Sequence, residues 1–260
     1  MNKKIKPLII DLVFLLVIFI FIYWRVTFIF FQQDEWLSFG LMSAQEQGLP
    51  INLGIDFHFV PLNLLFANLL FKLFGLNYIA YNLVGLTFHF INGILVYLIA
   101  FKLLHKQIVA LISSILFITS PVASQLVMWP AVSIAILSLT FTLTACLILL
   151  KDSINKKIIW SFIIAILMIL AFLTMEYSLG LLFFVPVTYL FLNRITNRKE
   201  KIVFLLPISI MSFIYFVTRV VVLSLTTNNT SIKLSENYFS NFIGKFFYIP
   251  FKYLTQLTIP

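Results

Sequence analysis

Long apolar runs separated by short polar stretches organise this chain. The runs are Leu8–Phe31, Ile79–Phe101, Ile108–Val122, Ala131–Leu150, Ile158–Met175, Tyr177–Leu192 and Ile202–Leu225. About 20 mostly apolar residues cross a hydrocarbon core roughly 30 Å thick, at about 1.5 Å per helical residue. A helix also satisfies its own backbone hydrogen bonds there, so each run predicts a membrane-spanning helix. Two runs are short, with Pro121 and Glu176 marking their ends. Pro61–Phe74 is apolar but has only 14 residues and carries Asn63, Asn68 and Lys72, which predicts an interfacial helix. The first run follows Lys3, Lys4 and Lys6, as in a signal peptide. It is too long for one and no A-x-A-like site follows, so it reads as an uncleaved span.

Composition fits this pattern. Apolar residues make up 62% of the 260 and charged residues 10%, against roughly 45–50% and about 25% in soluble domains. Mean hydropathy is +1.06. So few charges cannot clothe a water-exposed surface, which excludes a soluble enzyme, a disordered tail and a secreted disulfide scaffold. The single cysteine, Cys146, cannot close an intrachain disulfide, and inside an apolar run it says nothing about redox compartment.

The net charge of +9 changes meaning once each charge is mapped. Lys3, Lys4 and Lys6, then Lys102 and Lys106, then Lys151, Lys156 and Lys157, then Arg194, Arg198, Lys199 and Lys201 hold 12 of the 18 basic residues. The intervening loops 120–130 and 174–178 hold none, and 32–78 holds only Lys72. These loops alternate under the positive-inside rule if Pro61–Phe74 does not span, and fall on both sides if it does. The expected fold class is therefore an all-α polytopic membrane protein with seven transmembrane helices and the N-terminus inside. Residues 1–225 form the transmembrane module. Its first outer loop, 32–78, carries juxtamembrane helices at 34–48 and 61–74, and 226–260 is an aromatic-rich outer segment. A nucleic-acid binder would gather its basic residues in a soluble module or arm, so no nucleic-acid partner is expected. The chain has no internal repeat, phosphate-binding glycine loop or dinucleotide fingerprint.

The first outer loop carries the candidate chemistry. Asp34-Glu35-Trp36 follows the first span directly, with Asp34 as the expected N-cap of a helix that Gly48-Leu49-Pro50 ends. Trp36 would sit at headgroup level. Asp56-Phe57-His58-Phe59-Val60 then leads to the second helix, with Pro61 in its first turn. Two such helices, with Asp56 and His58 between them, would roof an outward-facing cavity. Composition leaves Asp34 and Glu35 open between a helix cap and an acid–base pair whose neighbouring carboxylates perturb each other. Glu176 lies between two apolar runs with no basic neighbour, and acids near membrane depth usually face a partner or a cavity. Arg219 lies about six residues, roughly 9 Å, short of the outer end of its run. The two read either as an ion pair, or as a carboxylate and a phosphate-holding guanidinium at a substrate.

The histidines divide by position. His105 stands beside Lys106 at the inner interface. His89 and Asn92 lie mid-span one turn apart, which predicts hydrogen bonding between helices. His58 belongs to the outer loop. The Cys, His and acidic residues lack zinc-ligand spacing, so no metal ligands are assigned. Asn228-Asn229-Thr230 and Asn229-Thr230-Ser231 match the glycosylation acceptor pattern on the outer side.

With these features together, the chain resembles the GT-C superfamily of membrane glycosyltransferases, in particular the N-terminal module of protein O-mannosyltransferases and aminoarabinose transferases. Gln33-Asp34-Glu35-Trp36 falls where those enzymes carry an essential first-loop acid. His58-Phe59-Val60-Pro61-Leu62 and Lys72-Leu73-Phe74-Gly75 resemble their second juxtamembrane helix. Phe88-His89-Phe90-Ile91-Asn92-Gly93 resembles the following span. Ser120-Pro121-Val122 with Trp129, and Met175-Glu176 with Pro186, match in order and spacing. Met175 departs from the lysine often found before the glutamate. Family members also continue beyond the equivalent of Pro260, so this chain is expected to be part of a longer protein.

The resemblance implies inverting transfer of a sugar from a polyprenyl-phosphate donor to a protein, lipid or glycan hydroxyl at the outer face. Catalytic residues would be Asp34, as general base, and Glu35. His58, Glu176 and Arg219 would bind substrate. No cofactor is implied beyond a possible divalent metal. The expected location is a bacterial plasma membrane, with a cytoplasmic N-terminus and membrane lipids as neighbours. The rival function is a transporter or assembly subunit handling lipid-linked glycans. A transporter would show broken or polar helices near the midplane of two halves, whereas here the polar residues cluster at the outer ends.

Overall fold

The computed structural model describes residues 5–46, 54–55, 58–121, 127–129, 135–150, 157–192 and 198–227. Apart from turns and one two-residue ladder, these residues are helical. Helix α1 covers Ile5–Tyr23 and a turn leads into a 3-10 helix, Val26–Phe28. Two short helices follow, α2 (Gln33–Glu46) and α3 (Pro61–Phe74). Between them β1 (Gly54–Ile55) pairs antiparallel with β2 (His58–Phe59), Ile55 opposite His58. Next come α4 (Tyr78–Leu104), α5 (Gln107–Ile118), α6 (Ala135–Leu149) and α7 (Lys157–Thr174). A 3-10 helix, Glu176–Gly180, leads to α8 (Leu181–Leu192), and α9 covers Arg198–Thr227.

The ends of these helices follow local chemistry. Pro61 opens α3, where its missing N–H costs nothing. Gly75 closes it at φ 55°, a left-handed value that disfavours a side chain, and its N–H donates to Phe71 O at 2.8 Å. The Asn77 side chain caps α4 by accepting from the Ala80 N–H at 3.4 Å. His105, at φ 53° and ψ 22°, ends α4 in the left-handed conformation.

Buried polar groups tie the helices together. Asp11 of α1 accepts from Tyr97 Oη of α4 at 2.6 Å and from Gln107 Nε2 of α5 at 2.7 Å. About three turns from the other end of α4, His89 meets Tyr23 Oη at 3.2 Å, and Tyr23 Oη donates to Ile118 O at 2.6 Å. Asn92 Nδ2 donates to Ile136 O of α6 at 3.1 Å, so His89 and Asn92 do link helices as the sequence predicts. Ser138 of α6 donates to Ala171 O of α7 at 3.0 Å, and Tyr215 of α9 donates to Phe172 O at 3.2 Å. Around these bonds Leu15, Phe19, Leu86, Tyr97, Ala110, Ile118 and Ile136 form one apolar core.

Large apolar side chains also point outward, among them Phe21 at 80% exposure and Phe213 at 68%. Water tolerates such surfaces poorly. Two helical segments, Tyr78–Leu104 and Phe204–Val221, are long and apolar enough to cross a membrane, and shorter apolar helices such as Leu8–Tyr23 and Ile159–Thr174 accompany them. The chain divides into two units, Met1–Phe216 and Val217–Pro260. The two glycosylation-pattern sites and most of the 226–260 segment lie outside the described residues.

The first apolar run differs from its expected form. Its α-helix stops at Tyr23, well short of Phe31. The segment beyond turns because its carbonyls are taken from elsewhere: Asn82 Nδ2 donates to Thr27 O at 3.2 Å and to Ile29 O at 2.8 Å.

Candidate functional site

The turn after α1 is the foundation of the candidate site. Asn82, 1% exposed in α4, fixes the 27–29 backbone through one amide nitrogen. Three residues further on, Gln32 precedes α2, and its N–H donates to Glu35 Oε2 at 2.7 Å. This is the reach-back half of a capping box, in which the third helical residue satisfies the amide before the helix. The expected N-cap, Asp34, is instead the second residue of α2. The carboxylate of Glu35 is thus 3% exposed with one oxygen committed to the helix start.

An aromatic cluster holds α2 and α3 over the start of α4. Phe31 meets Phe39 edge-on at 4.7 Å and Tyr81 at 5.4 Å, and Phe39 stacks on Phe71 of α3 at 5.4 Å. Met42 and Leu70 complete the buried set. Tyr81 Oη donates to Gly75 O at 3.0 Å, locking the α3–α4 corner. Helix α3 also packs against α7, the helix that leads through Met175 to Glu176. The 3-10 helix beginning at Glu176 is fastened to α6 by the Ser138–Ser178 hydroxyl pair at 3.1 Å.

Each predicted site residue now has a place. Asp34 and Glu35 share the first turn of α2, His58 is in β2, and Glu176 opens its 3-10 helix. The side chains of Asp34, His58 and Glu176 lie outside the described residues. Arg219 belongs to the second unit, half-buried on α9. His105 is exposed at the end of α4. Among the described residues no three His, Cys, Asp or Glu side chains gather as a metal site.

Two features escaped the sequence reading. Asn82 was hidden as a lone polar residue at the edge of an apolar run, though a polar side chain in such a run generally has a partner. Gln32 reaches across with its Nε2 to Met128 O at 3.4 Å, joining the start of α2 to the 127–129 segment. Beside these bonds, Asn82 Oδ1 and Trp129 Nε1 are buried without a hydrogen-bond partner among the described residues. An acceptor beside the turn that precedes the acidic pair and a donor in the 127–129 segment are therefore unmatched, and buried polar atoms are rarely left so. Compared with protein families, with characterised proteins and with solved structures, the chain matches none.

Proposed function

We propose that the chain is the catalytic transmembrane module of an inverting glycosyltransferase that uses a polyprenyl-phosphate sugar at the outer membrane face. The observation that carries this reading is the insertion of two short helices between α1 and α4, with Asp34 and Glu35 in the first turn of the first. In the full proposal seven helices span, the N-terminus is cytoplasmic, and α2 and α3 lie in the outer interface. The donor is anchored in lipid, so an enzyme in the same leaflet meets it by lateral diffusion and needs no nucleotide site.

Asp34 takes the proton from the acceptor hydroxyl as its oxygen bonds to the anomeric carbon. The bond from that carbon to the phosphate oxygen breaks, and polyprenyl phosphate leaves with the electron pair. Glu176 and His58 orient donor and acceptor. Glu35 supports the base through the helix start, since one of its oxygens already accepts the Gln32 N–H.

The test is sugar transfer from a synthetic polyprenyl-phosphate donor by the full-length protein in liposomes. Asp34→Asn is expected to lower kcat by a factor on the order of 10²–10⁴, the usual yield of a general base. Full activity in Asp34→Asn removes the assignment of the base. No transfer with any polyprenyl-phosphate sugar removes the enzyme reading.

A further inference from the structure

Six of the 18 basic residues lie outside the inner set, and one of them, Arg25, stands just past the end of α1. From Lys6 to Tyr23, the end of α1, the helical rise is about 26 Å, nearly the thickness of the hydrocarbon core. With Lys6 at the inner interface, Arg25 therefore stands at outer headgroup depth. A basic residue there works against topology, so another interaction must account for it.

The surroundings of Arg25 identify that interaction. Its side chain is exposed, and its guanidinium carbon lies 5.1 Å from the centre of the Trp24 ring. Trp24 is itself 53% exposed, between Phe21 and the 62% exposed Phe28. Among the described residues no carboxylate pairs with Arg25. The backbone beneath is ordered: Trp24 N–H donates to Ile20 O at 3.0 Å and Thr27 Oγ1 to Trp24 O at 2.6 Å. The result is a cation steadied on an indole face, with exposed aromatic side chains suited to acyl chains nearby in sequence. A cation at headgroup depth is neutralised by phosphate, and the guanidinium fork matches two phosphate oxygens.

We propose that Trp24 and Arg25, with Phe21 and Phe28, form a docking site for an anionic phospholipid of the outer leaflet. The guanidinium holds the phosphodiester and the aromatic side chains hold the upper acyl chain. The site rests on the proposed topology, with the N-terminus inside, and stands whether or not the protein transfers sugars. Its occupant is bulk phospholipid because the residues are open to the membrane rather than enclosed.

The test is native mass spectrometry of the whole 260-residue chain titrated with phosphatidylglycerol, and separately with phosphatidylcholine. Arg25→Gln is expected to weaken the tightest phosphatidylglycerol binding about tenfold, the scale of a charge-assisted hydrogen bond, and to weaken phosphatidylcholine, whose phosphate already has its own choline as partner, by less. Arg25→Lys retains part of the affinity, because it keeps the charge and loses the fork. Thermal unfolding of each variant separates loss of the site from loss of fold. Equal phosphatidylglycerol binding by wild type and Arg25→Gln overturns the proposal. So does undecaprenyl phosphate displacing phosphatidylglycerol at equal concentration, which would give the site to a donor lipid, and so does displacement by inorganic phosphate.

Discussion

At the scale of single residues, Gly93 shows how closely two helices are fitted. A methyl group there would stand 2.7 Å from Ile118 Cδ1 and 2.8 Å from Cγ1. Ser114 Oγ donates to the Gly93 carbonyl at 2.7 Å, so side chains of α5 lie directly on the α4 backbone at this point. The Ile118 side chain has little room to turn aside, because it is completely buried. Gly93→Ala is therefore expected to destabilise by about 1–3 kcal/mol, the usual cost of overpacking, despite its gain in helix propensity. A thermal midpoint equal to or above that of the wild type refutes the tight fit. His89 and Asn92 were legible as interhelical hydrogen-bonding residues because they are polar at mid-span. Tyr23 was not, since a tyrosine in an apolar run looks the same whether it faces lipid or a histidine.

At the scale of elements, the start of α2 gives Glu35 a structural task. Glu35 satisfies the Gln32 amide, a task that glutamine performs as well as glutamate. Glu35→Ala is expected to cost about 1 kcal/mol, as other cap deletions do, while Glu35→Gln retains most of that. Urea unfolding of both variants measures the difference. Equal losses in the two would mean that the carboxylate charge, rather than its place in the cap, holds the helix start. The cap itself was misplaced by sequence reasoning for a physical reason: glutamine is an uncommon residue before a helix, so Asp34 looked the better candidate. The helix at 61–74, by contrast, was readable in its bounds. Pro61 at its start and Gly75 after its end punctuate it, and the structure has it at Pro61–Phe74. The early end of α1 was not readable, because the group that holds the turn is Asn82, far away in sequence.

At the scale of the molecule, helical content and apolar runs were legible because hydropathy needs only composition over a window. Sidedness is a further inference from charge, and the short helices make it testable. If α3 lies in the interface, residues 47 and 106 are separated by one span; if α3 crosses, by two. Single cysteines introduced into a Cys146→Ser background decide between these. Lys106→Cys, Asn155→Cys and Asn197→Cys are expected to react with an impermeant maleimide only after the membrane is opened. Gln47→Cys and Ser124→Cys are expected to react in sealed cells. The pair Gln47→Cys and Lys106→Cys is decisive, since equal labelling from one side would make Pro61–Phe74 a span. In that case the acidic turn of α2 and the Met175–Glu176 corner would fall on opposite faces of the membrane. No single active site could then contain both, and the glycosyltransferase reading would fall with the topology.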